Sequence, residues 1–452
     1  MGRQIHCFYP RNFRGMTNAA KTRESIGKKN LGKDLYGLIE RLYPICRSIT
    51  GNGVRETLKI INEYVAIQVN EVPSGKQVFD WTIPDEWNIA DAYIKNEKGE
   101  KIVDFKQLNL HVLNYSVPVN ETIDLEALKK HLFTIPEHPD WIPYRTSYHN
   151  KNWGFCISHN QFLQLKEEMY EVKIDATLQP GSLTYGECFV RGRSDEEVII
   201  STHICHPSMC NDNLSGIAVA TFLARQLEKR DLKYSYRFLF IPGTIGSITW
   251  LSLNERKIKN IRHGIVLNLL GDKTKFHYKK SRRGNAEIDR IITRQLKNRY
   301  EDFGIIDFYP YGYDERQFCS PGFNLPVGRL SRTPHGEFPE YHTSADNLDF
   351  VMPEHLAESL DLLLSVVEEI ESSEKFLNLS PKCEPQLGKR GLFKQIGGQS
   401  ETKDYQMALL WNLNLSDGEH SLKDIEERSG LDMAILKDAA EALCKVNLLK
   451  KI

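Results

Sequence analysis

No apolar run in this chain of 452 residues approaches the roughly 20 residues that cross a bilayer, so a helical membrane protein is not expected. No C-x-x-C pair occurs among the nine cysteines, and nine is an odd number. Both facts argue against a disulfide framework and against a thiolate cluster, and they point to a reducing, cytoplasmic setting. There is no charge surplus either. With 59 Lys and Arg against 60 Asp and Glu, the net charge is −1. The chain as a whole therefore has no electrostatic pull toward nucleic acid or an anionic membrane. The first thirty residues carry several Arg and Lys but no apolar core, which excludes a secretory signal. Residues 1–32 read as a flexible basic extension, with an organellar transit peptide as the weaker alternative. No internal repeat of fixed period is present.

What is present fits folded protein. The hydrophobic fraction is 40% and the charged fraction 26%, and the length suggests two or three domains. Apolar residues recur at helical spacing from about Lys33 to Ile67, with a break at Thr50-Gly51-Asn52-Gly53. Over 72–164 short Val-, Ile- and aromatic-rich runs alternate with Pro, Gly and Asn, the punctuation of a small β-rich domain. From Glu171 strands and helices alternate, which predicts a mostly parallel sheet covered on both faces. The predicted α/β domain is thus 33–71 plus 165–385, interrupted by the β-rich insert. After a polar Gly- and Pro-containing strap, residues 400–452 give three helix-like segments, a winged-helix-like all-α module.

Two stretches carry the chemistry. The first is His203-Ile204-Cys205-His206-Pro207 with Asn211-Asp212-Asn213-Leu214-Ser215-Gly216. It follows a buried strand and opens a helix, so it lies at the carboxyl end of the sheet, where ligands bind in such folds. An imidazole and a carboxylate able to bridge cations are donors that suit zinc. A strand-to-helix turn capped by Asp or Asn is the plainer alternative. The second stretch, Glu337 to Asn347, supplies His342, with Asp346 placed to orient a ligand. His206 reads as a hydrogen-bonded loop residue rather than a ligand.

Together these stretches resemble the zinc aminopeptidases whose relatives include glutamate carboxypeptidase and the transferrin receptor ectodomain. Thr202–Pro207, Pro242–Ser247, Asp314–Gly322 and Pro339–Thr343 are more similar still to a bacterial subfamily of aminopeptidase-like proteins, often encoded with polysaccharide biosynthesis genes. The resemblance runs from about Leu35 to the C-terminus. It implies the zinc-aminopeptidase fold with a β-rich insert and a winged-helix tail. It also implies one or two zinc ions held by His203, Asp212 and His342, with Asp272 a further candidate. Glu315 and Glu340 are candidate bases, and Arg316 and Tyr341 candidate substrate-binding residues.

The chain departs from that family where it matters. Such aminopeptidases keep two adjacent glutamates, a general base and a ligand, after the strand that follows the Asp-bearing helix. Here Tyr236–Ile241 leads into Pro242-Gly243-Thr244, with no carboxylate. Cys205 likewise replaces the Asp of a His-x-Asp motif. The expected function is a zinc-dependent amide hydrolase acting on a small peptide or amino-acylated small molecule. The alternatives are a non-catalytic binder of a peptide or amino-sugar ligand, and a ligand-sensing regulator. From Glu401 to Ile452 ten acidic residues face seven basic ones, so nucleic acid is not the expected partner. A homo-oligomer remains open.

Overall fold

The computed structural model describes residues 18–148, 150–392 and 400–452. The organising element is an eight-stranded mixed sheet. Its order is Gln68–Pro73, Ser182–Val190, Ser235–Ile241, Glu197–His203, Ile261–Leu267, Val327–Ser331, His277–Lys279 and Gly304–Ile306. The four strands in the middle run parallel. The two flanking pairings are antiparallel. Every residue of Glu197–His203 and Ser235–Ile241 is buried. That follows from a sheet covered on both faces, and it is why these strands read as continuous apolar runs rather than alternating ones.

Helices Gly216–Leu227, Pro353–Ser372 and Asn18–Leu42 cover one face and share its core with Leu35, Leu38, Val219, Phe238 and Leu363. The first helix begins at Asn18, inside the stretch expected to be a flexible extension; residues 1–17 lie outside the described residues. A second core under the other face holds Trp87, Tyr115, Ile199, Leu239 and Trp250.

The insert forms its own antiparallel sheet of Lys101–Asp104, Glu86–Lys95, Met169–Gln179 and Val119–Asp124. Strand Met169–Gln179 lies beyond residue 164, where the insert was expected to end. Its pairing with Glu86–Lys95 is non-local and leaves no punctuation at that point in the chain.

The tail has the three expected helices at Ser400–Leu415, Leu422–Ser429 and Met433–Lys445. It also has strands, so the all-α expectation missed a layer. Lys375–Asn378 pairs on one side with Asp417–Ser421 and on the other with Leu449–Lys451, and this is the wing. Three- to five-residue strands of mixed polarity give no period to detect.

Candidate metal centre

Strand Glu197–His203 delivers His203 to the carboxyl edge of the sheet. The chain then loops through His206 and a tight turn at Cys210–Ser215 before helix Gly216–Leu227. That turn is held from behind. The Asp346 carboxylate accepts the backbone N–H groups of Asn211 at 2.6 Å and Asp212 at 2.8 Å. Asn211 Nδ2 donates to Asp272 Oδ2 at 2.9 Å, and Asn213 Nδ2 donates to Thr202 Oγ1 at 2.8 Å. Gly216 is required here, because a Cβ would lie 2.4 Å from Asn213 Oδ1.

His342 arrives from a separate loop with φ of 57°, a left-handed conformation unusual for a non-glycine residue. Such outliers persist where the surroundings over-determine them. Here the insert does so. Pro143 bridges to Thr343, and Tyr144 N–H donates to the His342 carbonyl at 2.8 Å. The Tyr144 ring stands edge-on to both His206 and His342.

The side chains meet on Asp212. His203 Nε2 lies 2.9 Å from Asp212 Oδ1 and 3.0 Å from His206 Nδ1. His342 Nε2 lies 3.0 Å from Asp212 Oδ2, and His206 Nδ1 is 3.6 Å from the same oxygen. Tyr313 donates its hydroxyl to Asp212 Oδ1 at 3.0 Å and meets the Tyr341 hydroxyl at 3.1 Å. The donor atoms of His203, His206 and Asp212 all lie within 4.8 Å of one another. Asp212 and His203 are buried.

Burial by itself would raise the Asp212 carboxyl, but His206, His203 and His342 hold it well below the usual carboxylate range. Burial pushes His206 well below the usual imidazole range, helped by His203, His342 and Arg47 and opposed by Asp212. Burial also raises Asp346 to about 8, with the Asp212 and Asp272 charges adding to it and the two backbone N–H groups opposing. The cluster is thus a buried carboxylate ringed by imidazole nitrogens. Among the described residues, Asp212 forms its ion pairs with histidines alone. That donor set suits a divalent ion such as zinc, which would bring the positive charge the residues lack.

The structure brings His203, Asp212 and His342 together. Asp272 stands one layer back, bonded to Asn211, Thr274 and Thr333. Glu315 is fully buried, with its Oε1 2.9 Å from Lys279 Nζ and 3.9 Å from Arg329 Nη1, so its described partners belong to a separate ionic cluster. Glu340 accepts bonds from Thr343 through its backbone carbonyl. Tyr341 stacks on the His342 ring at 3.9 Å. Arg316 has a buried Nε with no hydrogen-bond partner.

Sequence reasoning set His206 aside, yet it sits inside the group. The signal was its three-residue separation from His203 in one loop. Tyr313 and Tyr144 carried no signal, since a tyrosine becomes a partner of a carboxylate only through the fold.

Residues 36–373 match the family described as a domain of unknown function, DUF4910, and residues 374–451 match a winged helix-turn-helix family. A protein of Clostridium acetobutylicum, named as a candidate polysaccharide biosynthesis protein with an aminopeptidase-like domain, is 54% identical over 421 residues, 93% of this chain and 97% of its own length. A crystal structure of a candidate peptidase from Clostridium acetobutylicum superposes with a TM-score of 0.81 at 51% identity, covering 96% of this chain and 100% of that one. A zinc aminopeptidase from Bacillus subtilis superposes with a TM-score of 0.54 at 16% identity, over 75% of this chain and 95% of that one, which is a likeness of fold.

Proposed function

We propose, from the premise that this chain belongs to the DUF4910 family and has an aminopeptidase-like fold with a winged helix-turn-helix tail, that it is a zinc-dependent hydrolase of amide bonds. The observation that carries this reading is the convergence of His203, His206 and His342 on the two oxygens of buried Asp212. His203, Asp212 and His342 would hold the ion, with His206 beside Asp212 at 3.6 Å. Bound there, zinc would polarise the amide carbonyl and activate water. Three protein ligands are enough for one catalytic zinc, so a single ion accounts for the donor set.

The chain's own residues do the rest. Tyr313 keeps the Asp212 carboxylate oriented through its hydroxyl. Tyr341 fixes the His342 ring by stacking. Arg316, with its unpartnered Nε, is suited to bind a substrate carboxylate. Candidate substrates are a small peptide or an amino-acylated sugar, the second in keeping with the name of the Clostridium relative.

Protein purified without chelator should contain stoichiometric zinc and hydrolyse aminoacyl-anilides, and His342→Ala should abolish the hydrolysis. Purified protein free of divalent metal would sink the proposal. One observation favours a second reading, a binder without turnover: the turn Pro242-Gly243-Thr244 beside His203 carries no carboxylate. Zinc binding without hydrolysis of any anilide would select it.

A further inference from the structure

Strand Ser235–Ile241 ends in Pro242-Gly243-Thr244, and helix Ile245–Asn254 begins there. A Cβ added at Gly243 would lie 3.4 Å from Cys205 Sγ and 3.6 Å from His203 Cβ. The turn therefore backs directly onto the first histidine of the cluster, and position 243 has room for a side chain. Glycine leaves that room empty.

A carboxylate reaches the same turn from elsewhere in the chain. Asp314 Oδ1 accepts the Thr244 backbone N–H at 2.7 Å and the Ser247 hydroxyl at 2.9 Å. The helix N-terminus and these two donors favour a negative charge there. The other oxygen, Oδ2, is buried and has no hydrogen-bond partner, in a residue only 1% exposed. An unsatisfied buried polar atom costs about 1–3 kcal/mol, and more when charged. Capping alone does not explain the charge, because an asparagine would cap the same N–H through its own oxygen without burying an anion.

We propose that Asp314 supplies the carboxylate missing from the Gly243-Thr244 turn, its free Oδ2 accepting the proton of the water that attacks the amide. The inference rests on the hydrolase reading above. Tyr313, the residue before Asp314, stacks on the His203 ring at 4.8 Å and donates to Asp212, which places Asp314 beside the cluster. Burial also raises the Asp314 carboxyl, with His203, Thr244 and Ser247 opposing, which moves it toward the range useful to a base.

The step balances. The water oxygen bonds to the amide carbon and its proton passes to Asp314 Oδ2. The carbon–nitrogen bond then breaks, and the leaving nitrogen takes that proton, returning Asp314 to the carboxylate. One water is consumed and nothing is oxidised or reduced.

The test compares wild type, Asp314→Asn, Gly243→Glu and the double variant. Each is measured for zinc affinity by chelator competition, for melting temperature and for kcat on alanine p-nitroanilide. Asp314→Asn should lower kcat by about 10² to 10⁴-fold while zinc affinity stays at the wild-type value. Adding Gly243→Glu to Asp314→Asn should restore at least about tenfold of the loss, since a Cβ at position 243 stands beside His203 at ordinary contact distance. An unchanged kcat in Asp314→Asn overturns the inference. So does a loss of zinc and fold in Asp314→Asn that Gly243→Glu does not relieve. Zinc-loaded wild type that is inert, with turnover appearing only in Gly243→Glu, overturns it while leaving the metal site standing. A wild type without zinc overturns the hydrolase reading, and this inference with it.

Discussion

The two ends of the central sheet bury similar groups and neutralise them differently. At the carboxyl end, Asp212 is surrounded by three imidazoles and a phenol. At the amino end, His263 on strand Ile261–Leu267 lies 3.5 Å from Glu287, which in turn pairs with Lys375 at 2.5 Å. Beside it Arg294 bonds Glu369 at 2.7 Å, Glu427 at 2.6 Å and Asp424 at 3.1 Å, and so ties the winged helix to helix Glu287–Arg299. The amino end carries its own permanent cations. The carboxyl end offers a buried carboxylate and imidazole donors, a set that suits an added cation. One end is an interface; the other is a candidate metal centre.

The sharpest way to break this contrast is Asp212→Asn. It should remove stoichiometric zinc, a loss larger than the about 10–100-fold that follows when only a residue behind a ligand is changed. Retention of zinc, measured by elemental analysis, would mean that the imidazoles suffice and the comparison fails. Arg294→Ala acts on the other end. Glu369 and Glu427 lose their guanidinium while Asp424 keeps that of Arg290, so the change should cost about 1–3 kcal/mol in chemical denaturation, with zinc content unchanged.

Proton uptake should separate the ends further. Burial depresses His263 from 6.5 to about 4. Below pH 6.5 the unfolded chain binds a proton there that the folded chain refuses, so stability falls as pH drops from 6.5 toward 4. The loss is on the order of 3 kcal/mol at full effect. His263→Gln should flatten that slope in denaturation curves taken across this window. The smallest effect belongs to Asp272→Asn, which loosens the Asn211 contact behind the Asp212 turn. It should weaken zinc binding by about 10-fold and leave the fold intact.

The sequence carried much of this site in two short stretches. His203, Asp212 and His342 were legible because each stands in a polar loop at a strand or helix boundary, with donor types that suit a metal. His206 was present in the same stretch, yet nothing in local spacing tells a free loop imidazole from one aimed at a carboxylate nine residues from His203. The Gly243-Thr244 departure was legible as an absence. That Asp314 leans into the same turn was not, because it depends on a contact across 70 residues. Glu315, its neighbour, was the candidate base read from the chain and is bonded to Lys279 instead.

The amino-acid order by itself determined the alternation of strands and helices, the insert, the tail and the kinds of donor available. Hydrophobic period and turn chemistry are local properties, so they survive in one dimension. The tertiary structure alone decided which donors come together. Parallel strands bring the loops at their carboxyl ends to one edge of the sheet. There Asp212 and His342, 130 residues apart, come within 3.0 Å. Whether a buried carboxylate meets an arginine or a ring of imidazoles is set at that edge. That choice separates the centre that calls for a metal from the interface that is already neutral.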